Sequence, residues 1–154
     1  MKLQKLIGEE HVYLQLEAAD IGTALMAVAE RMAPSAGVPA EQIARALVER
    51  ERLGSTSVGD GFAIPHCKLA GLKSISIALA RFASGIPFGS ADSTLVEFVF
   101  VVLSPPDQPA AHLQVLSQIA RVLKRNELRS RLLEAADGPA IIEIIQQFAE
   151  AEGL

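Results

Sequence analysis

Thr94-Leu95-Val96-Glu97-Phe98-Val99-Phe100-Val101-Val102-Leu103 holds the most apolar run in the chain, broken only by Glu97. It is rich in valine and phenylalanine, which favour extended backbone. A strand apolar on both sides needs cover on both sides. The stretch therefore predicts a central strand with helices above and below it. It is too short to cross a membrane, which takes about 20 residues.

C-terminal to it, Ser104-Pro105-Pro106-Asp107-Gln108-Pro109 ends the strand and starts a helix, with Asp107 or Gln108 as its cap. That helix carries His112, Leu113, Leu116, Ile119, Ala120 and Leu123 at helical spacing. Asn126 is placed to cap a shorter helix through Leu128, Leu132 and Leu133. Gly138-Pro139 opens a last one, striped by Ile141, Ile142, Ile145 and Phe148.

N-terminal to it, residues 83–87 and 89–92 read as turns. Residues 74–82 alternate Ile75, Ile77 and Leu79 with small or polar residues, as a strand does. Residues 12–17 alternate in the same way. Between these strands come two helices. The first starts at an Asp20 cap and stops at Pro34; the second runs over residues 39–53, with Ile43, Leu47 and Val48 as its buried stripe. Two helical groups around one apolar strand, with adjacent strands at 74–82 and 94–103, predict an α/β fold. Its expected form is a three-layer α/β/α sandwich with a mixed central sheet, in one domain over residues 1–154.

The 154 residues are half hydrophobic, with a net charge of −4. A packed core follows, and there is no basic footprint for nucleic acid. Residues 1–10 lack the apolar core of a signal peptide, and no stretch suits membrane insertion. Cys67 is the lone cysteine, so no intrachain disulfide forms. A cytoplasmic location is the simplest expectation.

The chemistry-bearing stretch is Gly59-Asp60-Gly61-Phe62-Ala63-Ile64-Pro65-His66-Cys67-Lys68. Pro65 fixes its own φ and holds Ile64 extended, so His66 is expected on a stiff loop at a strand end. His112 falls in the first turn of its helix, where free N–H groups and the dipole favour an anion. Helix spacing alone favours a core histidine packed among Val115, Leu116 and Ile119. If the strands before them lie side by side, His66 and His112 reach the same sheet edge. Arg50 and Arg52 end the second helix, and either is able to clamp an oxyanion, although a solvated charged face is the plainer reading. Phe62 and Phe88 are either an apolar rim for a partner or, more simply, core. Cys67 and His66 point apart on an extended chain, so they form no nucleophilic dyad. No paired-ligand metal spacing, P-loop or dinucleotide fingerprint is present.

Residues 63–69, Ala-Ile-Pro-His-Cys-Lys-Leu, resemble the phosphorylation-site motif of the enzyme IIA domains of the bacterial phosphoenolpyruvate-dependent phosphotransferase system, fructose/mannitol type. Glu49-Arg50-Glu51-Arg52-Leu53-Gly54-Ser55-Thr56 is similar to that family's upstream segment. Pro105-Pro106-Asp107-Gln108, followed by His112, Leu113 and Leu116, is similar to its downstream segment. The resemblance implies a phosphotransferase component in which His66 is phosphorylated, His112 is a second active-site histidine and Arg50 supports the phosphoryl group. It implies no metal or organic cofactor. The implied partners are an HPr-type phosphocarrier and either a IIB domain or a regulatory target. Many members have glycine after the active histidine where this chain has Cys67, which nitrogen-regulatory members tolerate, and a chain free of fused IIB and IIC domains is expected to belong to that branch. The alternatives are a sugar-specific IIA protein and a binding module of the same fold that does not depend on phosphorylation.

Overall fold

The computed structural model describes residues 3–89 and 94–154. Its sheet has the order β1-β5-β6-β3-β2, with β4 also paired to β6. The strands are β1 (Val12–Tyr13), β2 (Ser57–Gly59), β3 (Phe62–Ala63), β4 (His66–Lys68), β5 (Ser76–Ile86) and β6 (Val96–Ser104). β6 is antiparallel to β5 and parallel to both β3 and β4, so the sheet is mixed.

β6 is buried on both faces, as its composition requires. Phe98, Phe100 and Val102 pack with Val115, Ile119, Ile141 and Ile145. Those partners lie on α4 (Pro109–Leu123) and α6 (Gly138–Ala151), which share their layer with α1 (Leu3–Leu6) and α5 (Leu128–Glu134). Val99, Val101 and Leu103 pack with Leu25, Val28, Ile43 and Leu47. Those belong to α2 (Ile21–Ala36) and α3 (Ala40–Arg52), which form the other layer. The result is the expected three-layer α/β/α arrangement. Glu97 is tolerated because it meets Arg129 of α5, with Nε donating to Oε1 at 2.7 Å.

Local chemistry explains most helix boundaries. Asp20 caps α2, accepting from the Thr23 N–H at 2.8 Å, and Asp137 caps α6, accepting from Ala140 at 2.9 Å. Pro34 does not stop α2. It sits in the last turn, where a fixed φ is compatible with helix, and the stop comes at Gly37 in the left-handed region at φ 70°. Asp107 plays no capping part; Gln108 holds the N-cap position of α4, but its side chain makes no capping bond. Glu127, at φ 72°, takes the place expected of Asn126.

The strands depart more from expectation. β1 shrinks to an edge pair, Val12 and Tyr13 opposite Leu79 and Ala80. β5 runs on to Ile86 through residues expected to turn, with a register shift between Arg81 and Ile86 and Gly85 at φ 76°. β2, a short hairpin partner of β3, hides in a polar loop with no alternation to betray it. The turn expected at residues 89–92 falls mostly at 90–93, outside the described residues.

Phe100 is 1 % exposed at the centre of β6. Phe100→Ala should therefore lower unfolding stability by about 3–5 kcal/mol, and Asp20→Ala by about 1 kcal/mol, as read from urea denaturation midpoints at unchanged slope.

Candidate active site

β4 lies beside the C-terminal end of β6, with His66 opposite Val102, Cys67 opposite Leu103 and Lys68 opposite Ser104. Backbone bonds pin it: Val102 N–H donates to the Pro65 carbonyl at 3.0 Å, and Leu69 N–H to the Ser104 carbonyl at 2.9 Å. His66 thus opens a short strand rather than sitting on a loop. Pro65 separates β3 from β4, and both keep β6 as neighbour.

Strand alternation sorts the side chains. Cys67 points into the α2–α3 core. His66 and Lys68 share the opposite side of the strand and line an open pocket of about 630 Å³ with Arg50, Leu53, His112 and Leu113. The two sheet-end histidines meet there, ring centroids 5.6 Å apart and ring planes inclined at 53°. His112 sits in the first turn of α4, where its N–H makes the first intrahelical bond, to Gln108 O at 3.0 Å.

Each imidazole has one nitrogen committed. Nδ1 of His66 is 2.7 Å from the Ile64 carbonyl. A carbonyl only accepts, so Nδ1 carries the hydrogen and donates, leaving a lone pair on Nε2. Nδ1 of His112 is 2.6 Å from Oγ of Ser104. His112 is 5 % exposed, yet it is polar-bonded and faces the pocket, so it is not simply a packed core histidine.

Both rings are held towards the neutral form. For His66, burial lowers the pKa from its ordinary 6.5; the Ile64 carbonyl opposes that, Arg50 pushes further down and Glu51 pulls up. For His112, burial again leads, and positive charge on His66 and Lys68 adds to it. Burial pushes the Cys67 thiol up to about 12, which leaves it an inert hydrophobe.

Arg50 closes its own helix, with one guanidinium nitrogen donating to Gly54 O at 3.0 Å, while still lining the pocket. Arg52 lines a separate groove along α2 and α3. Phe62 and Phe88 are core, each 1 % exposed. The apolar rim is made instead by Leu53 and Leu113, 85 % and 66 % exposed. Sequence reading gave neither these two nor Lys68 and Ser104 a role of their own in the site. Lys68 was detectable as the second residue along an extended chain from His66. Ser104 was detectable as the one hydroxyl closing an apolar strand. No cluster of three histidine, cysteine or acidic residues placed to hold a metal occurs among the described residues. No described helix is long and apolar enough to cross a membrane.

The family model described as "Phosphoenolpyruvate-dependent sugar phosphotransferase system, EIIA 2" matches residues 5–148. A nitrogen regulatory protein of Bradyrhizobium diazoefficiens is 34% identical over 145 residues, covering 94% of this chain and 95% of the relative. The crystal structure of nitrogen regulatory protein IIA-Ntr from Neisseria meningitidis superposes with a TM-score of 0.88 at 25% identity, over 93% of this chain and 98% of that one. The enzyme IIA(mannitol) chain from Escherichia coli, solved in complex with phosphorylated enzyme IIB(mannitol), has the same fold, with a TM-score of 0.78 at 20% identity over 92% and 99% of the two chains.

A depressed histidine pKa means that the unfolded chain binds protons before the folded one does. Stability from His66 and His112 is complete above pH 6.5 and is lost as pH falls below that value. Urea unfolding between pH 7.5 and 5 should thus show a falling stability whose slope shrinks in a His66→Gln/His112→Gln double variant. NMR titration should place both wild-type midpoints below 6.5.

Proposed function

Because this chain belongs to the EIIA 2 family of the phosphoenolpyruvate-dependent sugar phosphotransferase system, we propose that it is a phosphocarrier whose acceptor is Nε2 of His66. The observation that carries this reading is the 2.7 Å contact between Nδ1 and the Ile64 carbonyl. It leaves the Nε2 lone pair free in a pocket that also holds Arg50, Lys68 and His112.

The donor is a phosphohistidine on an HPr-type carrier. The Nε2 lone pair forms the new N–P bond as the donor's N–P bond breaks, and that electron pair returns to the donor nitrogen. The Nδ1 hydrogen stays on His66. Ring charge rises as phosphorus arrives, and the Ile64 carbonyl is placed to stabilise it. The chemistry asks for positioning and charge stabilisation more than for further covalent groups. Arg50 and Lys68 supply positive charge beside the incoming phosphoryl oxygens, and His112 adds a polar contact. The exposed Leu53 and Leu113 flank the pocket, so an apolar patch around the carrier's phosphohistidine would cover them while the cations meet its phosphoryl group.

The nitrogen regulatory relative, alike over nearly the whole length of both chains, supports a regulatory role, with phospho-His66 as a switch. The mannitol enzyme pair, in which a chain of this fold docks on a phosphorylated IIB protein, supports a second reading in which a IIB-type protein receives the phosphate.

Incubation with enzyme I, an HPr-type carrier and phosphoenolpyruvate should place acid-labile, base-stable phosphate on the wild type and none on His66→Ala. Equal labelling of both, or of neither, refutes the assignment. His112→Ala should fold and label more slowly. Leu113→Ser should raise the KM for the carrier by about fivefold with little change in kcat, as expected of a contact worth about 1 kcal/mol.

A further inference from the structure

Ser104 closes β6 beside Lys68 in the ladder and is fully buried, at 0 % exposure. Its Oγ lies 2.6 Å from Nδ1 of His112, and its hydroxyl has no other partner among the described residues. Two placements of hydrogen fit that distance. If Nδ1–H donates to Oγ, the hydroxyl hydrogen is left buried with no acceptor, which proteins avoid. If Oγ–H donates to the Nδ1 lone pair, every donor in the pair is used and only spare oxygen lone pairs remain. The second placement puts the ring hydrogen of neutral His112 on Nε2. That nitrogen is not among the buried polar atoms left without a partner, and the ring lines the pocket, so Nε2 is open to it.

We propose that Ser104 is a positioning residue that holds neutral His112 as its Nε2–H tautomer, so that His112 presents a hydrogen-bond donor to the phosphoryl group on His66. This rests on the reading of His66 as the acceptor. The two rings are then neutral, 5.6 Å apart and of opposite tautomer. The Ile64 carbonyl, which only accepts, leaves His66 with a lone pair on Nε2. The Ser104 hydroxyl, which is free to donate, leaves His112 with a hydrogen there. Were His112 the other tautomer, an Nε2 lone pair would face phosphoryl oxygens and repel them. A donor that is neutral beforehand also avoids placing a second positive ring beside His66 as that ring gains charge.

Threonine and valine are nearly the same shape, so Ser104→Thr and Ser104→Val differ at this site mainly by the hydroxyl. Two-bond ¹⁵N–¹H correlation spectra of the unphosphorylated protein above pH 7 report each ring's tautomer without any transfer reaction. In wild type, His112 should be Nε2–H and His66 Nδ1–H. Ser104→Thr should keep the His112 tautomer and transfer within about twofold of wild type. Ser104→Val should lose the single tautomer and accept phosphate about tenfold more slowly, the loss expected for one hydrogen bond to a charged group. An Nδ1–H tautomer for wild-type His112, or a valine variant equal to the threonine variant in both tautomer and rate, overturns the proposal. If the larger side chains prevent folding, Ser104→Ala replaces them and should match the valine expectation. A wild type with the expected tautomers that never labels on His66 would overturn the acceptor assignment while leaving the Ser104–His112 geometry intact.

Discussion

The two-sided burial of β6 is the constraint on which the site depends. Phe98, Phe100 and Val102 lie in one core, and Val99, Val101 and Leu103 lie in the other. With six large apolar residues sorted by parity, the strand cannot rotate without driving apolar side chains out of both cores. β4 takes its register from this strand, with His66 opposite Val102. A slip of one residue would reverse every side chain of β4. Cys67 would then take the side now held by His66, and His66 would turn into the apolar core against α2 and α3. The same parity places Ser104 on the side of α4, where His112 waits. One strand's alternation therefore decides which of two neighbouring residues, a histidine or a thiol, meets a partner.

Burial and positive charge act together on the paired rings. Both push the imidazoles towards the neutral form; burial leads, and Arg50 for one ring and His66 with Lys68 for the other reinforce it. A neutral ring is needed for a nitrogen lone pair to attack phosphorus. In the proposed transfer, the cations that discourage protonation of the rings would also attract the phosphoryl oxygens. The site is thus prepared for an anion and unfavourable to a proton, and the same side chains produce both effects.

The core layers and the histidine pair were legible in the sequence because each rests on a strong local signal. The apolar run at β6, broken only by Glu97, announced its double cover, Asp20 and Gly138-Pro139 announced two helix starts, and Pro65 beside His66 announced a rigid presentation. What was not legible depends on pairing across long distances. β2 has no apolar alternation and exists only because β3 offers it an edge. β5 continues through Gly85 because a neighbouring strand is there to hold it. Leu53 and Leu113 gain their meaning only when the end of α3 and the start of α4 converge on one pocket. Ser104 gains its partner once His112, eight residues later in the first turn of α4, folds back over it.

That convergence has a continuous hydrogen-bonded route behind it. Glu51, next to Arg50 at the end of α3, accepts from both the N–H and the hydroxyl of Thr56. The Thr56 carbonyl accepts from the Ile64 N–H at 3.0 Å, and the Ile64 carbonyl accepts from Nδ1 of His66. The helix that supplies the cation is therefore bonded, through Thr56 and Ile64, to the group that sets the tautomer of His66. Ser55 adds a tie at 2.6 Å to the Phe88 carbonyl, which fixes the intervening loop to the far end of β5. A displacement of this loop would shift Arg50 and loosen the Ile64 contact together. Charge and lone pair thus reach the pocket through one chain of hydrogen bonds, so under the proposed function a docking carrier would meet a site already arranged rather than one assembled by its arrival.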